Sequence, residues 1–307
     1  MAKSVLCIGA TLVDELYFCE DTIVQNSSNP AQKSTSIGGV ISNIVQHLAL
    51  LDVKVSLITA LGSDSDAAFI RSNFEKMGIV LNDSIIVDDT TGKYVSILNP
   101  DGTLNIAVCQ DISFKYITIP FLESKSDVMR QFDLILIDTN LAPDTIQWLI
   151  HFAKENQKTL IIEPVSVPKA AKLAGLNLDG VYMITPNEEE LLVMNPVGAK
   201  EEEPINTLHQ RGVMKIWLRK GNLGSVIYEG NQALSLSVPQ IQILDSTGAG
   251  DAALAGWVFG YVHQEDELTC LQLGHALAFD ILKIKGSVDF TMNQEKLYTI
   301  KNNYYHD

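Results

Sequence analysis

Short apolar runs recur along the first two thirds of the chain, at Ser4–Gly9, Val53–Ala60, Leu134–Asp138, Thr159–Pro164, Val181–Thr185 and Lys215–Arg219. Each has the length and β-branched content of a buried strand rather than of a helix. Between most of them lie amphipathic segments of helical length, at Val40–Leu51, Asp66–Met77, Asp144–Asn156 and Glu188–Met194. Apolar strands alternating with helices predict an α/β fold with a largely parallel sheet covered on both faces. From residue 245 onward the pattern is mostly helical. Two stretches break the rhythm. Thr11–Ile37 and Thr91–Val108 carry β-branched residues and turn signals ("SSNP", "NPDG") without helical period. They predict strands of a small separate lid sheet. No internal repeat, low-complexity tract or long linker interrupts the chain, and 307 residues suit one large domain.

Charge and cysteine usage narrow the function classes. A net charge of −15 argues against coating nucleic acid, although local backbone dipoles still permit a small anionic substrate. No stretch has the length and apolarity of a membrane span, and "MAKSVLCIGAT" lacks the basic start and apolar core of a secretory signal. Cys7, Cys19, Cys109 and Cys270 are scattered without metal-ligand spacing, which predicts free thiols and a cytoplasmic location. The histidines do not cluster, and "EEEP" at Glu201 reads as a solvated loop or a helix start.

The chemistry concentrates in "DSTGAGDAALAGWVFGY", which begins at Asp245 and opens from a tight turn into an apolar helix. Gly248, Ala249 and Gly250 either let the turn pack closely or aim successive N–H groups at one point, an anion nest at the positive end of the helix. Asp251 favours the nest. A carboxylate in the first helical turn is a poised proton acceptor, and phosphoryl transfer needs both dipoles for the transferred group and a base for the attacking hydroxyl.

"DSTGAGD" resembles the signature of the ribokinase-like (PfkB-type) carbohydrate kinases, and the resemblance extends over residues 1–307. "VLCIGATLVDE" resembles the first strand of that family, with Asp14 at its sugar-binding aspartate. "SIGGVISNIVQHLALL" resembles its second signature, in which Gly38, Gly39 and Asn43 face the sugar. "ITPNEEEL" resembles its N-x-x-E motif and "RKGNLGSVIY" its nucleotide-side stretch, with Arg219 and Lys220 where many members carry Thr-Leu. The resemblance implies a three-layer α/β/α sandwich with a mostly parallel central sheet, and a β lid from about 11–37 and 91–108. No G-x-x-x-x-G-K-S/T stretch marks a P-loop kinase.

The same residues also have local readings. Asp14 follows a strand, where α/β proteins place ligand contacts, and is otherwise a solvated loop carboxylate. Asn43 is otherwise a surface residue of an amphipathic helix. Asn187 and Glu190 also read as an N-cap with its capping box, which is compatible with a role beside phosphate.

The resemblance implies ATP and Mg²⁺ as cofactors, with Asp251 as base and Gly248, Ala249 and Gly250 holding the transferred group. Asn187, Arg219, Gly221, Gly224 and His275 would lie on the ATP side, His275 as packing beside the adenine, and Glu190 would organise Mg²⁺ through water. Asp245 and Thr247 match positions that line a K⁺ site in some relatives. In related enzymes the lid also supplies a dimer interface, which implies a homodimer. "NSSNPAQKSTSIGGVISN" and "EPVSVPKAAKL" resemble the pseudouridine kinase branch, where Ser28, Asn29 and Lys169 would form the base-side wall. Glu163 in place of that branch's aspartate, and "CQDISFKY", depart from its pattern. Ribose, fructose or another nucleoside is the rival acceptor. A silent ligand-binding member is the rival from another class, and it would lack the nest or Asp251.

Overall fold

The computed structural model describes residues 3–196 and 204–305. The acidic run at 201–203 lies outside them. The central sheet is built from β1 (Val5–Ile8), β4 (Val55–Ile58), β9 (Leu134–Asp138), β10 (Thr159–Glu163), β11 (Met183–Ile184), β12 (Lys215–Arg219), β13 (Ser225–Glu229) and β14 (Gln232–Leu236). Its strand order is β14-β13-β12-β11-β10-β9-β1-β4, parallel except for the β12–β13–β14 edge.

Alternation along the buried strands divides the interior in two. Val5, Cys7, Leu134, Leu136 and Ile161 face one core, while Leu6, Ile8, Ile135, Ile137, Leu160 and Ile162 face the other. The first core is covered by helices Val40–Leu50, Ala249–Val262, Glu267–Ile281 and Gln294–Tyr304. The second is covered by Pro143–Glu155, Glu188–Val193 and Pro204–Gln210. Sheet and helices therefore form the α/β/α sandwich that the alternating pattern predicts.

The helix Ala249–Val262 is apolar on every side because it is buried on nearly every side. A Cβ on Gly256 would lie 2.5 Å from the Leu273 carbonyl oxygen, so this helix meets Glu267–Ile281 at backbone contact.

A second, four-stranded sheet is made of β2 (Leu12–Cys19), β3 (Ala31–Gly38), β7 (Lys93–Leu98) and β8 (Leu104–Gln110), in the order β3-β2-β7-β8. β5 (Ala60–Leu61) and β6 (Ile85–Ile86) form a minor pair. Strands from both irregular stretches thus pair with each other, Asp14 standing opposite Ser36 on one side and Tyr94 on the other. Glu15 anchors the sheet by ion pairs to Lys33 (2.8 Å) and Lys93 (2.9 Å). The pattern reading omits the β13–β14 hairpin and the short helices Ser113–Tyr116, Ile119–Ser124 and Ser126–Met129. The hairpin is an edge with mostly polar or half-exposed positions, so it lacks the apolar run that marks the inner strands.

Candidate active site

Gly248 caps the helix Ala249–Val262 in the left-handed region, at φ 75°, and a Cβ there would fall 2.5 Å from that of Ser287. The turn therefore demands glycine. The Ala249 N–H donates to the Ser246 carbonyl (3.3 Å), closing the turn, and the first-turn N–H groups and the positive end of the dipole stand at this end of the helix. Asp251, one turn-step further, is buried. Its Oδ2 accepts a hydrogen bond of 2.8 Å from Asn43 Nδ2, and Asn43 Oδ1 in turn accepts one of 3.0 Å from Ser287 Oγ. Residues 208 positions apart are thereby fixed in one unit. Burial pushes the Asp251 carboxyl up to about 7, against the pull of the Asn43 amide. A base poised near neutrality can take a hydroxyl proton and release it again.

Asp14 and the paired glycines form the next group. A Cβ on Gly38 would lie 2.0–2.1 Å from the Asp14 carboxylate atoms, so only glycine leaves room for that side chain. Gly39 has φ 96° and approaches the Ala10 carbonyl oxygen, 2.5 Å from where its Cβ would be. Burial pushes Asp14 up to about 7 as well.

Sequence reasoning missed a third carboxylate. Asp138, at the C-terminal end of β9, is fully buried. It accepts from the Ala10 N–H (3.2 Å) and from Asn140 through both its backbone N–H (3.0 Å) and Nδ2 (2.6 Å). Burial pushes it up to about 7. Its signal was present: "LILIDTN" ends an all-apolar strand on a carboxylate, the position where parallel sheets present ligand contacts. Lys169 Nζ donates to Asn140 Oδ1, which joins the predicted base-side lysine to this cluster.

The residues read as nucleotide contacts form a further group. Asn187 and Glu190 form a reciprocal capping box, with Asn187 N–H donating to Glu190 Oε2 (2.9 Å) and Glu190 N–H to Asn187 Oδ1 (2.8 Å). Arg219 ends β12, tied to the loop before this box by its N–H to the Pro186 carbonyl (2.8 Å). Its guanidinium pairs with Glu163 (2.8 Å) and lies 3.9 Å from Glu190. Gly221 and Gly224 bracket the short turn that leads into β13. Val165, two residues after Glu163, holds φ 70°, a strained value for a β-branched residue and a feature that collects at functional sites.

The side chains of several predicted contacts are engaged by nearby protein groups. Asn29 Oδ1 accepts from Val24 N–H (2.8 Å), and its Nδ2 donates to the carbonyls of Val24 (3.1 Å) and Ser27 (3.2 Å), so the amide serves its own turn. Ser28 beside it is exposed. His275 hydrogen-bonds Ser225 Oγ (2.8 Å) through Nε2 and Tyr305 Oη (2.9 Å) through Nδ1, and burial lowers it to about 4. It is a neutral packing residue of the β13 wall. Asp245 accepts from Thr247 N–H (2.9 Å) and Gly286 N–H (3.1 Å), so its carboxylate braces the turn that carries the nest. Among the described residues no three His, Cys, Asp or Glu side chains gather as a metal cage.

The pfkB family carbohydrate kinase model matches residues 2–289. The chain is 26% identical to the pseudouridine kinase of Escherichia coli over 266 residues, covering 83% of this chain and 84% of that one. It is 25% identical to the cytidine kinase of Thermococcus kodakarensis, covering 93% and 98%. Among solved structures, a carbohydrate kinase from Agrobacterium tumefaciens superposes with a TM-score of 0.87 at 24% identity, over 98% of each chain. Arabidopsis thaliana ribokinase, solved with ribose and ATP, superposes with a TM-score of 0.84 at 19% identity, over 98% of this chain and 99% of that one.

Proposed function

Because the chain belongs to the pfkB family of carbohydrate kinases, we propose that it transfers the γ-phosphoryl group of ATP to the ribose 5′-hydroxyl of pseudouridine. The observation that carries the chemistry is Asp251, a buried carboxyl raised to about 7 and oriented by Asn43 in the first turn beyond a glycine nest. Asp251 takes the hydroxyl proton as the oxygen attacks phosphorus. The N–H groups of Gly248, Ala249 and Gly250 receive the charge on the migrating group. Asp14, Gly39 and Asn43 hold the ribose hydroxyls, and Lys169 forms the base-side wall. Asn187, Gly221 and Gly224 border the nucleotide.

The residues suit Mg²⁺ carried in with the phosphates, since such sites use one or two carboxylates and keep several waters. Glu190, whose Oε2 accepts from the Asn187 backbone N–H, would help hold the metal through its other carboxylate oxygen. The metal supplies charge neutralisation on the phosphates when bound. Asp245 and Thr247 remain the candidates for a K⁺ site. The second sheet serves as a lid that excludes water. On its edge strand β8, Leu104, Ile106 and Val108 alternate and are each more than half exposed, an apolar stripe that favours a homodimer through the lid. Three buried free cysteines, with Cys109 exposed, suit a cytoplasmic enzyme.

Support for pseudouridine comes from the likeness to a pseudouridine kinase, and cytidine is the comparison acceptor because a cytidine kinase is similar over more of the chain. The test is ADP release with pseudouridine, uridine, cytidine and ribose, with ³¹P NMR of the product. Preferred turnover of pseudouridine to a 5′-phosphomonoester is expected. A higher kcat/KM for cytidine or free ribose would overturn the assignment of the base.

A further inference from the structure

The end of β12 places one guanidinium among three carboxylates. Arg219 Nη2 donates to Glu163 Oε1 at 2.8 Å, and Glu190 Oε2 lies 3.9 Å away. Nη1 points the other way, 2.6 Å from the position a Cβ would take on Gly250. The guanidinium therefore packs against Gly250 in the first turn of the helix, in space that exists because residue 250 is glycine. Glu163, 3% exposed, is itself fixed by the Thr185 hydroxyl, which donates to its Oε2, and by the Val165 N–H. Burial opposes the Arg219 charge, but Glu163, Glu190 and Asp251 more than offset it.

An ion pair of this kind has a purely structural use, but two features go beyond it. Glu163 engages Nη2 of the guanidinium through one oxygen, its other oxygen being held by Thr185, and Nη1 stands against Gly250 in the first turn of the helix. The surroundings are also net negative without a ligand, with Glu163, Glu190 and Asp251 against Arg219, so an arriving phosphoryl group needs a cation held at the nest. A planar fork with one edge anchored and the other free is suited to that.

We propose that Arg219 is a catalytic residue that donates Nη1 hydrogen bonds to the transferred phosphoryl group, and that Glu163 is the positioning residue that holds it there. The inference rests on the kinase reading above. In the transfer the acceptor oxygen bonds to the γ-phosphorus as the bond to the β–γ bridging oxygen breaks. ADP leaves with that electron pair, the hydroxyl proton passes to Asp251, and Arg219 keeps its own proton and forms no covalent bond. The longer glutamate at 163, where the pseudouridine kinase branch is expected to carry aspartate, and the arginine at 219, where many members carry threonine, then become one coupled feature of this chain.

The experiment titrates the wild type, Arg219→Gln and Glu163→Gln calorimetrically with Mg·ADP and with Mg·adenylyl imidodiphosphate, and follows kinase turnover of Arg219→Ala with and without added guanidine. Arg219→Gln is expected to weaken the triphosphate analogue about tenfold or more while ADP changes less than about threefold, the loss of one charge-assisted contact to the terminal phosphate. Turnover should fall about a hundredfold or more, with guanidine restoring part of it in Arg219→Ala. Glu163→Gln, which keeps the side chain's volume, should move the same quantities in the same direction by less. Equal weakening of both nucleotides, or none, together with no rescue by guanidine, overturns the proposal while leaving the kinase reading in place. Failure of the wild type to bind either nucleotide overturns both.

Discussion

The surroundings of Asp251 and those of Asn29 are built in opposite ways. Asp251 is buried, and its hydrogen bonds reach to residues far away in sequence: Asn43 on one helix and, through it, Ser287 beyond another. Asn29 is partly exposed, and its amide bonds only within five residues of itself. The first arrangement holds a carboxyl in one geometry in advance, as the proposed role of Asp251 as base requires. The second holds a turn in shape and leaves recognition to whatever closes over it. Chemistry that depends on preorganised charge belongs at the rigid end, and discrimination among acceptors belongs where loops can differ without disturbing the core.

The sharpest way to break this contrast is Asp251→Asn. The substitution should lower kcat about a hundredfold or more with nucleotide affinity retained, as for loss of a general base. It should also stabilise the protein. The folded-state carboxyl is raised to about 7 from 3.8, so holding it ionised costs stability at high pH. The melting temperature of the variant should exceed that of the wild type at pH 8 by about 2–4 °C for each kcal/mol gained, the difference narrowing as pH falls from about 7 towards 4. A less stable, fully active variant would contradict both expectations.

Gly38→Ala tests the proposed sugar-side role of Asp14 without substituting it. The new methyl would overlap the Asp14 carboxylate and force it aside. Acceptor KM should rise about tenfold or more while nucleotide affinity holds, since one displaced carboxylate contact is of that size. Unchanged acceptor KM would remove Asp14 from the binding group. The smallest effects belong at the outer end. Lys169→Ala should raise the pseudouridine KM a few-fold, about the size of one hydrogen bond, through the broken link to Asn140 and Asp138. Asn29→Ala should change it by less than about twofold while lowering the melting temperature, because its amide bonds are local to the turn. Steady-state kinetics of the pair decide it: an Asn29 effect larger than that of Lys169 would put base recognition at the turn.

What was legible in the sequence follows the same division. Inner strands such as Leu134–Asp138 and Lys215–Arg219 appear at their observed bounds because the middle of a strand buried on both faces must be apolar, while charged residues mark its ends. The glycine nest and the capping box were legible because each is local, its residues adjacent or three apart. The β13–β14 edge lacked that signal. The Glu163–Arg219 pair and the Asp138–Asn140–Lys169 cluster were illegible as units for a different reason. Their members lie 56 and 29 positions apart, and only the sheet order brings strand ends together. Asn29 was ambiguous in sequence because its residue type suits a base edge and a turn equally, and only geometry shows that its amide bonds within its own turn.

The pH dependence of kcat/KM, measured side by side for the wild type and Asn43→Ala, tests the central claim most directly. Activity requires the ionised base, so the wild type should lose activity below an apparent pKa of about 7, rising with unit slope or steeper as pH increases. Asp14, also raised to about 7, shares that limb, and Asn43 separates the two because its amide lowers Asp251. Removing the amide should lower the rate and move the limb to higher pH. A wild-type profile flat down to pH 5, or an Asn43→Ala limb at the wild-type position, would contradict the assignment of Asp251 as the base.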